Sequence, residues 1–131
     1  MESQNIRTDG GLIIWHSGRL TASGLSVYIQ TLFESPGVDI LDFAVTDFSR
    51  ISAIDLDESE AAEIGALVHD LRSLRGTMDQ TVRWAVVSAD DRIESLARVM
   101  ANYSAGYLHL KVFGNLDEAL LWARNAGILR M

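Results

Sequence analysis

The apolar residues of this chain switch repeatedly between an extended and a helical spacing, and that alternation constrains its fold more than any other feature. Leu25, Tyr28, Ile29, Leu32 and Phe33 recur at i, i+3, i+4, i+7 and i+8, one face of a helix. Thr21 or Ser23 offers its cap, and Pro36-Gly37 ends it. Ala61, Ile64, Leu67, Val68 and Leu71 form a second such stripe, opened by the capping-box pair Asp57 and Glu60 and closed by Gly76. A third runs through Ile93, Leu96, Ala97, Met100 and Ala101, with Ser88 or Asp90 as cap and Gly106 beyond its end. A fourth begins at Asn115, carries Leu116, Ala119, Leu120 and Ala123, and stops at Gly127.

Strand-length segments separate these helices. Asn5–Arg7 and Leu12–His16 flank Thr8-Asp9-Gly10-Gly11, a hairpin signal because glycine tolerates the positive φ of tight turns. Residues 40–48 are mostly apolar, as suits a strand buried on both faces, and Val82–Val87 reads as another strand. Leu108, Leu110 and Val112 alternate with His109 and Lys111, the pattern of a more exposed strand near a sheet edge. The order is ββαβαβαβα. Strands alternating with helices through short connections predict an α/β fold, with a mostly parallel central sheet of about five strands and helices packed on it. No linker, repeat or low-complexity tract interrupts residues 1–131, so one domain is expected.

Composition excludes several classes. The chain has no cysteine, which rules out disulfides, thiol chemistry and cysteine-bound zinc. Its net charge is −7, its arginines are scattered and Lys111 is its only lysine, so nucleic-acid binding is not expected. No apolar run approaches the ~20 residues of a spanning helix, so the chain is not expected to be embedded in a membrane. Its N-terminus lacks the basic and apolar regions of a signal peptide, and a cytoplasmic location is expected.

The element order is that of STAS domains, and three segments resemble the family. His16-Ser17-Gly18-Arg19-Leu20-Thr21 is similar to the step that opens its first helix. Thr46-Asp47-Phe48-Ser49-Arg50-Ile51-Ser52-Ala53-Ile54-Asp55-Leu56-Asp57 resembles the Asp-Leu-Ser…Met-Asp-Ser-Ser loop that leads into the second helix. The finish, Val112-Phe113-Gly114-Asn115-Leu116-Asp117-Glu118-Ala119-Leu120-Leu121-Trp122-Ala123, resembles that of SpoIIAA-like (STAS/SEC14-type) bacterial proteins. The resemblance implies a non-enzymatic regulatory module of the anti-sigma-factor-antagonist kind, which binds a protein partner or itself. In those antagonists a partner kinase phosphorylates the second serine of the loop. Asp57 stands at that position here, so the phospho-switch is not expected, and Asp57 reads as a helix cap. The link to SEC14-type carriers implies an alternative, a small apolar ligand or lipid held under the first two helices.

Ligands of parallel α/β sheets gather outside the carboxyl ends of the strands. That rim is expected to carry Ser17, Arg19, Thr21, Asp47, Ser49, Arg50, Ser52, Asp55, Asp57, Ser88, Asp90, Asp91 and Asn115. Of these, Arg19, Thr21, Asp47, Ser49, Arg50, Asp55, Asp57 and Ser88 are the candidate ligand or partner residues. The aspartates read as caps and solvated loop charges rather than a metal site, since no Asp-x-Asp-x-Asp-Gly loop is present. There is no P-loop, Gly-x-Gly-x-x-Gly or Gly-x-Ser-x-Gly motif, and nothing places a partner beside His16, His69 or His109. No cofactor and no catalytic residue is therefore expected. Leu121 and Trp122 lie off the main stripe of the last helix and could form an interface, such as that of a homodimer, or simply extend its burial.

Overall fold

The computed structural model describes residues 1–37, 41–74 and 81–125. Its elements are β1 (Glu2–Thr8), β2 (Gly11–Thr21), α1 (Ala22–Glu34), β3 (Phe43–Asp55), α2 (Glu58–Leu74), β4 (Val82–Val87), α3 (Asp91–Tyr103), β5 (Leu108–Phe113) and α4 (Leu116–Asn125). The strands form one sheet in the order β1-β2-β3-β4-β5. β1 and β2 are an antiparallel hairpin, turned at Gly10 with φ +77°, and the remaining pairs are parallel. This is the ββαβαβαβα order and mostly parallel five-strand sheet expected from the spacing. Residue 40 of the third expected strand, and Gly76 and Gly127 as helix ends, lie outside the described residues.

The alternation of β4 divides the core. Trp84 and Val86 face a cluster built from Leu25 of α1, Ala61 and Ile64 of α2, and Ile93, Leu96 and Met100 of α3. Ala85 and Val87 face the other way, with Phe43 and Val45, against Ala119 and Ala123 of α4. The two small residues of α4 let that helix lie close to the sheet, where it packs on β3, β4 and β5. α2 and α3 meet at Gly65, where a Cβ would strike the Met100 carbonyl oxygen and come within 2.9 Å of Tyr103 Cβ.

The strands differ from expectation in length. β2 runs on to Thr21, and β3 continues through Ser49–Asp55, a stretch whose polar residues read as a loop. Beyond Trp15↔Asp47 the register moves to Ser17↔Arg50, then from Gly18↔Ile51 to Arg19↔Ala53. β3 thus carries two extra residues against β2. Bulges of this kind absorb an irregular segment while backbone pairing continues, whatever the side chains. β1 is likewise longer than Asn5–Arg7 and largely exposed at the sheet edge.

Candidate functional site

The long β2–β3 ribbon shapes the carboxyl end of the sheet. β4 makes its last pair at Asp47↔Val87, whereas β2 and β3 stay paired to Thr21↔Asp55. The overhang floors an open cleft of about 700 Å³, lined by Phe48, Ser49 and Ile51–Ile54 on one side and by Ser88–Ile93 and Gly114 on the other. The start of α3 is fastened across it. Ser88 Oγ accepts from Asp90 N at 3.0 Å, Asp90 Oδ1 accepts from Arg92 N at 2.8 Å, and the Arg92 guanidinium donates to the Ile54 carbonyl at 3.3 Å.

The expected rim residues fall into groups. Ser49, Ser52, Ser88, Asp90 and Asp91 come together around the cleft. Arg19, Thr21 and Asp55 stand at the far end of the ribbon, where Arg19 Nε and Asp55 Oδ2 lie 3.7 Å apart with both side chains about two-thirds exposed. Asp57 sits in an adjoining hollow with Glu58, Asp91 and Arg92. Arg50 is exposed opposite Ser17 and does not line the cleft, and Asp47 is buried in the sheet.

Several of the polar groups in this set hold their own backbone. Thr21 Oγ1 accepts from Gly24 N at 3.0 Å and caps α1. Asp57 Oδ1 accepts from Glu60 N at 2.8 Å while Glu60 Oε1 accepts from Asp57 N at 3.1 Å, the capping box in full. Asp47 Oδ1 accepts from Ser49 N at 2.8 Å, and Asn115 Oδ1 accepts from Glu118 N at 2.9 Å. Among the described residues no three His, Asp or Glu side chains stand together as a metal ion would require.

The expected interface pair is split by the fold. Trp122 is half-buried, packed against Phe113 and His109 on β5 with the Lys111 ammonium 5.9 Å from its ring, whereas Leu121 is 64% exposed.

Sequence reasoning missed one contact. Ser3 Oγ of β1 and His16 Nδ1 of β2 are 2.7 Å apart. His16 is buried between the rings of Tyr28 and Phe48. Desolvation lowers its pKa from 6.5 to about 4, so it is neutral at physiological pH. A serine–histidine pair suggests nucleophilic catalysis, but so depressed a base draws a hydroxyl proton weakly. Among the described residues no carboxylate bonds the ring to orient it, as a triad needs. No sequence signal marked this pair, because the hairpin register alone sets Ser3 opposite His16.

His16 also lines a second concavity, a partly open apolar cavity of about 100 Å³ between β2, β3 and β4 of the sheet and helices α1 and α2. It lies where the carrier alternative requires one. It is of the order of the ~150 Å³ space that accepts a single benzene, far too small for a long acyl chain.

The fold is SpoIIAA-like, of the STAS type. The structure of the anti-sigma factor antagonist SpoIIAA in its unphosphorylated form superposes with a TM-score of 0.55 at 14% identity, over 95% of this chain and 97% of that one. An anti-sigma factor antagonist from Mycobacterium paratuberculosis gives 0.53 at 15% identity, over 94% and 93% of the two chains. An uncharacterised DUF3478-family protein with a SpoIIAA-like fold from Shewanella loihica gives 0.52 at 16%, over 93% and 92%. Neither protein-family models nor curated proteins provide a match to the chain. No helix among the described residues is long and apolar enough to cross a membrane.

Proposed function

We propose that this chain is a non-catalytic, cytoplasmic regulatory module that binds a protein partner through the rim cleft. The observation that carries the reading is the overhanging β2–β3 ribbon, which builds an open, mixed polar and apolar cleft at the end of a fold similar to anti-sigma factor antagonists. An open cleft of this character suits a peptide or protein surface better than a small molecule, which favours deep and mostly apolar pockets. The partner meets Ser49, Ser52 and Ser88 within the cleft, and Arg19, Arg50 and Asp55 beside it. Asp57 occupies the place of a phosphorylated serine in the family resemblance, so binding here does not depend on phosphorylation at that position. Self-association through the flank of α4 that exposes Leu121 belongs to the same class of function.

A photo-crosslinking amino acid placed at Ser52 or Arg50, in the native cells, tests this reading. Both positions are exposed, as is the control position Gln30 on α1. A discrete protein adduct at the rim positions and none at Gln30 is expected. Adducts absent at the rim, or equal at Gln30, would overturn it.

A further inference from the structure

Protein interiors are packed to the density of organic crystals and leave few voids larger than a water molecule. The cavity beneath α1 departs from that rule. Its wall is almost wholly hydrocarbon and aromatic, from Leu25 and Ile29 of α1, Ala44 and Phe48 of β3, Ile64 of α2 and Trp84 of β4. Two of the polar side chains that touch it are already engaged. Thr46 Oγ1 accepts the Trp84 indole N–H at 2.9 Å, and the Tyr28 hydroxyl accepts from Asn5 Nδ2 at 3.1 Å. His16 is different. Its Nδ1 is held by Ser3, while its Nε2 makes no hydrogen bond among the described residues.

We propose that this cavity is a binding site for a small neutral aromatic molecule bearing one hydroxyl group, with its ring among the apolar side chains and its hydroxyl on His16 Nε2. Size sets the first limit. A partly open space of about 100 Å³ takes at most one six-membered ring and excludes nucleotides and long acyl chains. Charge sets the second. The imidazole is neutral and no cation lines the wall among the described residues, so a carboxylate or phosphate would be buried without compensation. Hydration sets the third. A buried water needs two to four polar partners, and a wall this apolar offers few, so a ligand displaces little bound water. A hydroxyl both donates and accepts, and therefore satisfies Nε2 in either imidazole tautomer.

The site is independent of the partner-binding reading, since among the described residues Phe48 alone lines both the cavity and the cleft. The experiment is an NMR titration of the ¹⁵N-labelled chain at neutral pH with phenol and, separately, with toluene. Saturable shifts confined to the backbone around Leu25, Ala44 and Thr46 are expected, with phenol bound roughly three- to ten-fold more tightly, the worth of one net hydrogen bond. His16→Gln should erase most of that preference while toluene still binds. Ala44→Leu should fill the space and abolish both titrations. Ile29→Phe fills it from the helix side and serves if the first variant does not fold. Absence of saturable shifts at millimolar phenol and toluene, or equal shifts in a folded, filled variant, would show a packing void and overturn the proposal.

Discussion

Ser3 Oγ lies 2.7 Å from His16 Nδ1, and this contact ties the exposed edge strand β1 to a ring buried between Tyr28 and Phe48. One hydrogen bond thus links the sheet edge to the wall of the internal cavity. It also keeps the polar ring partly satisfied where hydrocarbon surrounds it.

Stability should fall with acid because of this histidine. Its folded pKa, about 4, lies below the ordinary 6.5, so between these values the unfolded chain binds the extra proton. The stabilisation is whole above pH 6.5 and is lost as the pH drops through 4. From pH 7.5 to 5 the loss should be about 2 kcal/mol. Urea unfolding across that range measures it, and His16→Gln should flatten the profile. An unchanged slope in the variant would assign the effect to other groups.

Asp57 should act through its side-chain oxygen more than through its charge. Asp57→Ala removes the acceptor of the Glu60 N–H and should lower stability by about 1 kcal/mol. Asp57→Asn keeps an acceptor, so its melting temperature should barely move, and neither should rim crosslinking. A folded Asp57→Asn protein that loses its crosslinked partner would show that the negative charge itself is recognised.

Gly65 should resist replacement even though alanine is the better helix former by about 1 kcal/mol. A methyl there meets the Met100 carbonyl and the Tyr103 side chain, so α2 and α3 must separate. Gly65→Ala is expected to cost about 2 kcal/mol net, from overpacking at a backbone contact. Thermal unfolding tests this, and an unchanged or raised midpoint would mean that the two helices yield easily.

Leu121 and Trp122 should behave oppositely. Trp122→Ala strips the cover from Phe113 and His109 and should cost about 2 kcal/mol. Leu121→Ala should change monomer stability by less than about 0.5 kcal/mol, since the side chain is 64% exposed. If the chain self-associates through this flank, sedimentation of Leu121→Ala should show the loss of that association with stability intact.

Residues that act within a turn or two of the chain were the legible ones. Asp57 and Glu60 declared a capping box because both bonds join residues three apart. Trp84 and Val86 facing opposite to Ala85 and Val87 follow from strand alternation once β4 is central. The stretch Ser49–Asp55 misled for the converse reason. Its side chains are those of a loop, yet its backbone found β2 as a partner. The candidate rim was legible in part. Ser49 and Ser88 do meet, but Asp47 faces the sheet interior and Arg50 stands away from the cleft. The bulges in β3 change the side-chain alternation there, and no local pattern encodes them.

By itself the amino-acid sequence determined the kinds and order of the elements, the mostly parallel sheet and the caps that begin its helices. These depend on hydrophobic period and on hydrogen bonds between near neighbours. Only the tertiary structure decided how far β2 and β3 run past β4, that Trp122 covers β5 while Leu121 faces outward, and that His16 meets Ser3 beside an apolar cavity. Those features depend on register across strands and on how volumes from α1, α2 and the sheet fit together, and both are set by contacts between residues far apart in the chain.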